Sequence, residues 1–156
     1  MFNSKITQEI FKWAKMDPAG VAPYKKRISD SGYDLTIIKK VETIDGVKID
    51  ETIGAIEIYD TGIKVQPCSG WSFDLVARSS LWKQGRLLVN GIGIIDSQFR
   101  GSVTPVMWKF DSNAGDLQLP ARLVQLVPRL FVHCDFVEAE LDETERNTQG
   151  FGSSGL

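Results

Sequence analysis

Between Ala77 and Val103 the chain concentrates side chains that could handle a phosphorylated ligand. Two runs carry them: Ala77-Arg78-Ser79-Ser80-Leu81, then Asn90-Gly91-Ile92-Gly93-Ile94-Ile95-Asp96-Ser97-Gln98-Phe99-Arg100-Gly101. Arg78 offers a planar fork of donors and Ser79 and Ser80 offer hydroxyls. These suit phosphate oxygens, where charge-assisted bonds are about twice as strong as neutral ones. Asp96 follows Ile94 and Ile95; a carboxylate ending an apolar strand is expected to be partly desolvated, hence more basic and suited to activating water. Asn90 opens a glycine-punctuated stretch that reads as a tight hairpin or bulge, whose amide and backbone could read a pyrimidine edge. At the far end Arg146 precedes Gly150-Phe151-Gly152-Ser153-Ser154-Gly155. Phe151 has no core to join in such a tail unless the tail docks, and stacking on a base would be worth about 1–3 kcal/mol. Alone, Arg-Ser-Ser is a common loop, Asp96 a turn cap and Asn-Gly a turn; together they read as a nucleotide-phosphate site with one general base.

The elements that must position these groups are short strands. Leu35–Ile38, Ala55–Tyr59, Gly62–Val65, Trp71–Val76, Arg86–Val89, Val103–Trp108, Arg122–Val127 and Leu130–His133 each qualify, separated by Gly, Pro, Asp and Asn turn signals. That spacing predicts an all-β sandwich, barrel or jelly roll. Ile6, Ile10, Phe11, Trp13 and Ala14 recur at helical spacing, so residues 4–16 are expected to form a packed N-terminal helix that Pro18 ends. Trp13, Trp71, Trp82 and Trp108 are expected in the core or at an interface. Residues 148–156 have almost nothing to bury and read as a mobile arm.

Composition narrows the field. The 156 residues suit one domain burying about two-thirds of its unfolded surface. A net charge of −2 and a pI near 5.4 argue against stable nucleic-acid binding, which needs a basic face. No apolar run approaches the roughly 18 residues of a membrane span, and the N-terminus lacks a signal-peptide core, so an intracellular, cytoplasmic setting is expected. Cys68 and Cys134 are far apart and His133 is the one histidine, which leaves zinc no ligand set.

Read in order, five segments make the chain resemble the trimeric dUTP pyrophosphatase (dUTPase) family. They are Gly32-Tyr33-Asp34-Leu35, Ala77 through Leu81, Asn90 through Gly101, Arg122-Leu123-Val124-Gln125-Leu126, and Arg146 through Gly155. The resemblance implies a jelly-roll (β-clip) subunit at residues 29–145, an N-terminal extension at 1–28 and a C-terminal arm at 146–156 that closes a site in a homotrimer. It implies hydrolysis of dUTP to dUMP and pyrophosphate with Mg²⁺ on the triphosphate. Asp96 would activate the water, and Asn90 with the backbone through Ile94, Ile95 and Thr104 would hold uracil. Phe99 would lie against the deoxyribose. Arg78, Ser79, Ser80 and Gln125 would hold phosphates, and Asp34 would organise the metal through water. From the arm, Arg146, Ser153 and Ser154 would clamp phosphates while Phe151 and Gly152 cover the base. The chain departs from the family with Ala77 where Pro is common, Ser80 for Gly, Phe99 for Tyr, Pro120 for Gly, and Asn147 and Gln149 for glycines.

Two rival readings share the fold. A dCTP deaminase would need a Glu on the strand after the third segment, but Val106 holds that position and no acid lies between Phe99 and Phe110. A non-catalytic nucleotide-binding or regulatory trimer would be expected to lack Asp96 or the Phe151 arm, and both are present. A protein partner binding through residues 1–28 is compatible with either catalytic reading.

Overall fold

The computed structural model of the chain describes residues 10–44, 47–48 and 55–148. These form twelve strands in chain order: β1 (Lys12–Lys15), β2 (Tyr33–Ile37), β3 (Lys39–Val41), β4 (Thr43–Ile44), β5 (Val47–Lys48), β6 (Ile56–Asp60), β7 (Ile63–Gln66), β8 (Trp71–Ala77), β9 (Arg86–Leu88), β10 (Gly93–Ile95), β11 (Val106–Lys109) and β12 (Ala121–Leu130). One 3-10 turn, Leu81–Gln84, follows β8. A first four-stranded sheet runs β10-β8-β12-β2 and a second β3-β6-β11-β9, with β1-β7 and β4-β5 as two-stranded pairs. Every registered pair is antiparallel. The fold is all-β, as the spacing of strands and turns predicts.

Alternation decides which face goes in. Along β2, Leu35 and Ile37 are fully buried while Asp34 and Thr36 are half-buried on the outer face. Phe73 and Leu75 from β8, and Val124 and Leu126 from β12, join them inside. Tyr59, Ile63, Val65 and Met107 close the core from the other strands. Each such aliphatic side chain contributes about 1.5–3 kcal/mol on burial.

Three expectations fail, each for a non-local reason. Of the helix expected over residues 4–16, the described part is a strand instead: β1 pairs with β7, from Lys12↔Gln66 to Lys15↔Ile63, and residues 1–9 lie outside the described residues. Pairing with β7 satisfies the backbone groups on that edge of β1 at no helix-nucleation cost. Phe11 anchors the segment, edge-on to Trp71 at 5.7 Å and to Phe73 at 5.1 Å. The segment after Arg86 is not a hairpin, because β9 pairs with β11 in the second sheet and β10 with β8 in the first. The Asn90-Gly91 turn therefore crosses between sheets. Residues 122–127 and 130–133 are not two strands; β12 is continuous through Pro128 to Leu130, and His133 lies exposed beyond it. Pro128 is tolerated because pairing with β2 has already ended at Leu126↔Tyr33, so the missing N–H falls where β12 has one neighbour.

One charged cluster lies inside the sandwich. The Arg86 guanidinium, 1% exposed, donates through Nε and Nη2 to the Glu57 carboxylate, and the Tyr59 hydroxyl donates to the same carboxylate at 2.9 Å. The rest of the fork reaches the Gln84 carbonyl at 2.7 Å and the Gly115 carbonyl at 3.0 Å. Burial pushes the Glu57 carboxyl up, but hydrogen bonds from Arg86 and Tyr59 outweigh it and hold it below the ordinary carboxylate value. Stability from this carboxylate is therefore present above its ordinary pKa of 4.5 and lost as pH falls through the lower folded value. Removing one partner strands a buried charge. We expect Arg86→Met to lower the unfolding free energy by about 3–5 kcal/mol in urea titrations, and the Arg86→Met/Glu57→Leu pair to recover much of it. A single variant within about 1 kcal/mol of the parent would show that this cluster does not hold the core.

Candidate active site

Strand pairing assembles the phosphate-type donors at one corner of the first sheet. β12 lies between β2 and β8 with Gln125 opposite Asp34 on one side and Val76 on the other. Arg78 follows β8 directly, and its backbone N–H donates to the Leu123 carbonyl at 2.9 Å, so the loop leaves the sheet beside Asp34. There the Arg78 guanidinium forms an ion pair with Asp34, Nε standing 2.9 Å from the carboxylate, and donates through Nη1 to the Arg122 carbonyl at 2.6 Å. Arg122 stands 3.8 Å from the second Asp34 oxygen. Asp34, Arg78, Ser79 and Gln125 line one cleft of about 380 Å³. Ser80 starts the 3-10 turn with no side-chain capping bond and does not line that cleft.

Gly32 is what lets Gln125 enter. A Cβ at that position would stand 2.2 Å from Gln125 Oε1, while the Gln125 amide donates to the Ala77 carbonyl at 3.2 Å. The side chain crosses bare backbone.

Asp96 lies elsewhere. It lines a second cleft, of about 520 Å³, with Ser72, Ile94, Ser97, Gln98 and Phe131. It is exposed, so the partial desolvation expected from the preceding Ile94-Ile95 is absent. Ile95 packs on the core, whereas Ile94 is 71% exposed and turns outward with Asp96. The loop is closed within itself: the Phe99 N–H donates to the Asp96 carbonyl at 3.0 Å, and the Arg100 guanidinium donates through Nη1 to the Ser97 and Phe99 carbonyls. Phe99 folds over Gly101, where a Cβ would sit 2.5 Å from the ring. Asn90 is exposed, and the Thr104 hydroxyl donates to the Ser102 carbonyl at 3.2 Å.

The two clefts share no residue. Asp34 on β2 and Asp96 just past the end of β10 are three inter-strand spacings apart across the sheet. Along the strands they are four residues apart, since Asp34 is level with Val76 and Asp96 with Ser72. At usual sheet dimensions that is roughly 20 Å. Arg146 sits at the turn where Thr144 and Asn147 hydrogen-bond reciprocally at 3.0 Å, with Asn147 at φ 41°. Asparagine thus takes the left-handed conformation that a glycine would otherwise supply. Phe151, Gly152, Ser153 and Ser154 lie outside the described residues.

Among the described residues no group of three or more His, Cys, Asp or Glu side chains could hold a metal ion by itself. The cleft offers the carboxylates of Asp30 and Asp34. That donor set fits a hard cation carried mainly by ligand phosphates and water, the habit of Mg²⁺. Among the described residues no helix is long and apolar enough to cross a membrane. Sequence reasoning missed one feature: Tyr24, Lys25, Lys26 and Arg27 line the phosphate-type cleft too. Three adjacent cations just before Gly32-Tyr33-Asp34 were the available signal.

The family model described as dUTPase matches residues 19–155. The chain is 40% identical over 100 residues to the deoxyuridine 5'-triphosphate nucleotidohydrolase of Escherichia phage T5, covering 63% of this chain and 68% of that one. It is 30% identical over 137 residues to the enzyme of the same name from Finegoldia magna, covering 85% and 90%. Among solved structures, the Staphylococcus bacteriophage 80alpha dUTPase with dUpNHpp superposes with a TM-score of 0.73 at 15% identity, covering 94% of this chain and 99% of that one. A dUTPase from phage phi11 of S. aureus, whose structure describes a structural Mg(II) ion, gives 0.66 at 16% identity, covering 86% and 99%.

The Gly32 approach makes the cleft testable by a single methyl group. We expect Gly32→Ala to push the Gln125 amide off the Ala77 carbonyl and to weaken binding of inorganic triphosphate about tenfold by calorimetry, the loss of one charge-assisted contact. Unchanged affinity would place Gln125 outside the anion site.

Proposed function

The chain belongs to the dUTPase family, and from that premise we propose how its two clefts divide the work. The protein hydrolyses dUTP to dUMP and pyrophosphate. A water held by Asp96 attacks the α-phosphorus and gives its proton to that carboxylate. The bond from the α-phosphorus to the bridging oxygen breaks, and the electron pair leaves with pyrophosphate. Arg78, Ser79 and Gln125 hold the phosphates, with Ser80 beside them. Asn90, the Ile94-Ile95 backbone and Thr104 read uracil, and Phe99 lies against the deoxyribose. Asp34 would hold Mg²⁺ through water on the triphosphate, where the ion offsets phosphate charge and orients the chain. From the arm, Arg146, Ser153 and Ser154 grip the phosphates while Phe151 and Gly152 cover the base and exclude water.

One observation carries the arrangement: the separation of the clefts. A base must sit within hydrogen-bond reach of a water that itself touches the α-phosphorus. The phosphate donors must then lie within a few ångströms of the same atom, and roughly 20 Å on one subunit is too far. Asp96 of one copy therefore works with Arg78 of another, which supports a homotrimer. The segment after β12 supports it as well: Phe136 and Leu141 are 104% and 90% exposed, apolar groups that their own subunit leaves uncovered.

Asp96→Asn keeps the shape but cannot take a proton. We expect it to bind dUTP near the parent affinity and to lose at least about a thousandfold in kcat, measured by pyrophosphate release. Activity within tenfold of the parent would remove Asp96 as the base. Site sharing has its own check. Trimers co-expressed from equal amounts of Asp96→Asn and Arg78→Ala chains should regain about a quarter of parent activity, because random assembly pairs an intact Asp96 with an intact Arg78 at that frequency. Hybrids as inactive as their parents would place both groups on one subunit.

A further inference from the structure

The phosphate-type cleft carries more positive charge than the residues so far assigned to it require. Its lining includes four cationic side chains, Lys25, Lys26, Arg27 and Arg78, against two carboxylates, Asp30 and Asp34. Two of the cations are spoken for. Arg78 is paired with Asp34, and the Lys25 ammonium lies 4.3 Å from the centroid of the Tyr33 ring. Lys26 and Arg27 are exposed, and among the described residues neither side chain has an ion-pair partner. Adjacent like charges repel, and a solvated loop normally relieves that by moving apart. Here the segment is held. Tyr24 and Asp34 exchange both backbone hydrogen bonds, at 3.0 and 2.7 Å. The Arg27 N–H donates to Asp30 Oδ2 at 2.9 Å, and the Asp30 N–H returns a bond to the Arg27 carbonyl at 3.1 Å. Arg122 stacks on the Tyr24 ring at 4.9 Å and clamps the start of the segment against β12.

We propose that Lys26 and Arg27 are further binding residues for the pyrophosphate half of the substrate. This rests on the reading of the cleft as the triphosphate site and adds to it. Lys26 and Arg27 line the same cleft as Arg78, Ser79 and Gln125, so a polyphosphate lying in it meets donors from the 24–27 segment as well as from the sheet. Because the segment is fixed before ligand arrives, little ordering opposes binding. Negative charge also builds on the departing pyrophosphate as its bond to the α-phosphorus breaks, so the same cations favour the transition state and retain the product.

The test is calorimetry on the assembled full-length protein with inorganic pyrophosphate and, separately, dUMP, comparing parent, Lys26→Ala/Arg27→Ala and the charge-conserving Arg27→Lys. Two exposed charge-assisted contacts in a cleft predict about a tenfold weaker pyrophosphate affinity and a similar rise in KM for dUTP in the double variant. The salt dependence of KM should become shallower, Arg27→Lys should stay closer to the parent, and dUMP affinity should hold within about twofold. The melting temperature should not move, since neither side chain has a partner to lose. Pyrophosphate affinity and KM within twofold of the parent would overturn the proposal. So would an equal fall for dUMP, because the effect would then not belong to the pyrophosphate half. A parent protein that binds pyrophosphate through these residues yet leaves dUTP intact would refute the hydrolase reading while supporting this one.

Discussion

The register of β12 between β8 and β2 is the constraint from which the rest of the arrangement follows. Because side chains alternate along a strand, moving β12 by one residue would turn Val124 and Leu126 outward and Gln125 into the core. With the observed register, Gln125 faces Asp34, and the Arg78 N–H meets the Leu123 carbonyl as β8 ends. The same strand continues to Arg129, whose guanidinium donates to the buried Asp74 carboxylate on β8. Asp74 in turn sits opposite Ile94, two residues before Asp96. One strand therefore sets the places of both clefts, and hydrophobic burial holds that strand in place.

The electrostatics of the phosphate corner explain why a carboxylate belongs in an anion site. Without Asp34, Arg78 would share the corner with Lys25, Lys26, Arg27 and Arg122 against the single carboxylate of Asp30; Asp34 adds a second and holds the fork by an ion pair at Nε. The Nη1 bond to the Arg122 carbonyl fixes it a second time. A guanidinium aligned in advance loses less freedom on meeting a phosphate than a loose one. Asp34 thus has a use before any cation arrives, and an incoming metal–triphosphate brings the positive charge that lets the carboxylate remain.

What could be read from the sequence follows from how locally each feature is encoded. Arg78, Asp96, Phe99 and Gln125 stand in contiguous runs whose residue types carry their chemistry, and β2 and β8 show the period-two alternation of half-buried strands. Failures come where distant pairing decides. β1 has helical spacing but becomes a strand because β7 is there to receive it. Asn90-Gly91 has hairpin chemistry but turns between sheets because β9 and β10 find different partners. The Arg86–Glu57 contact joins residues 29 positions apart and has no local signature. Lys25-Lys26-Arg27 was visible as a charge run, but a charge run usually marks a solvated face. Only the return of the chain through Tyr24↔Asp34 puts it at the cleft.

The proposed sharing of work between copies rests on the geometry of a sheet. A four-stranded sheet is about 15 Å across, wider than the reach from an activated water to the phosphates it must attack beside. Asp96 beyond β10 and Asp34 on β2 occupy opposite edges, so a single copy can present each group but cannot converge them. Bringing a second copy's edge against the first converges them without bending either sheet. It also gives the exposed apolar groups beyond β12 something to cover them. In the proposed trimer, closing the ring would shield the Asp96 loop from solvent, so that a neighbour supplies the desolvation a single copy lacks. Assembly would then complete the base and the phosphate cradle in one step, each isolated copy holding two half-sites.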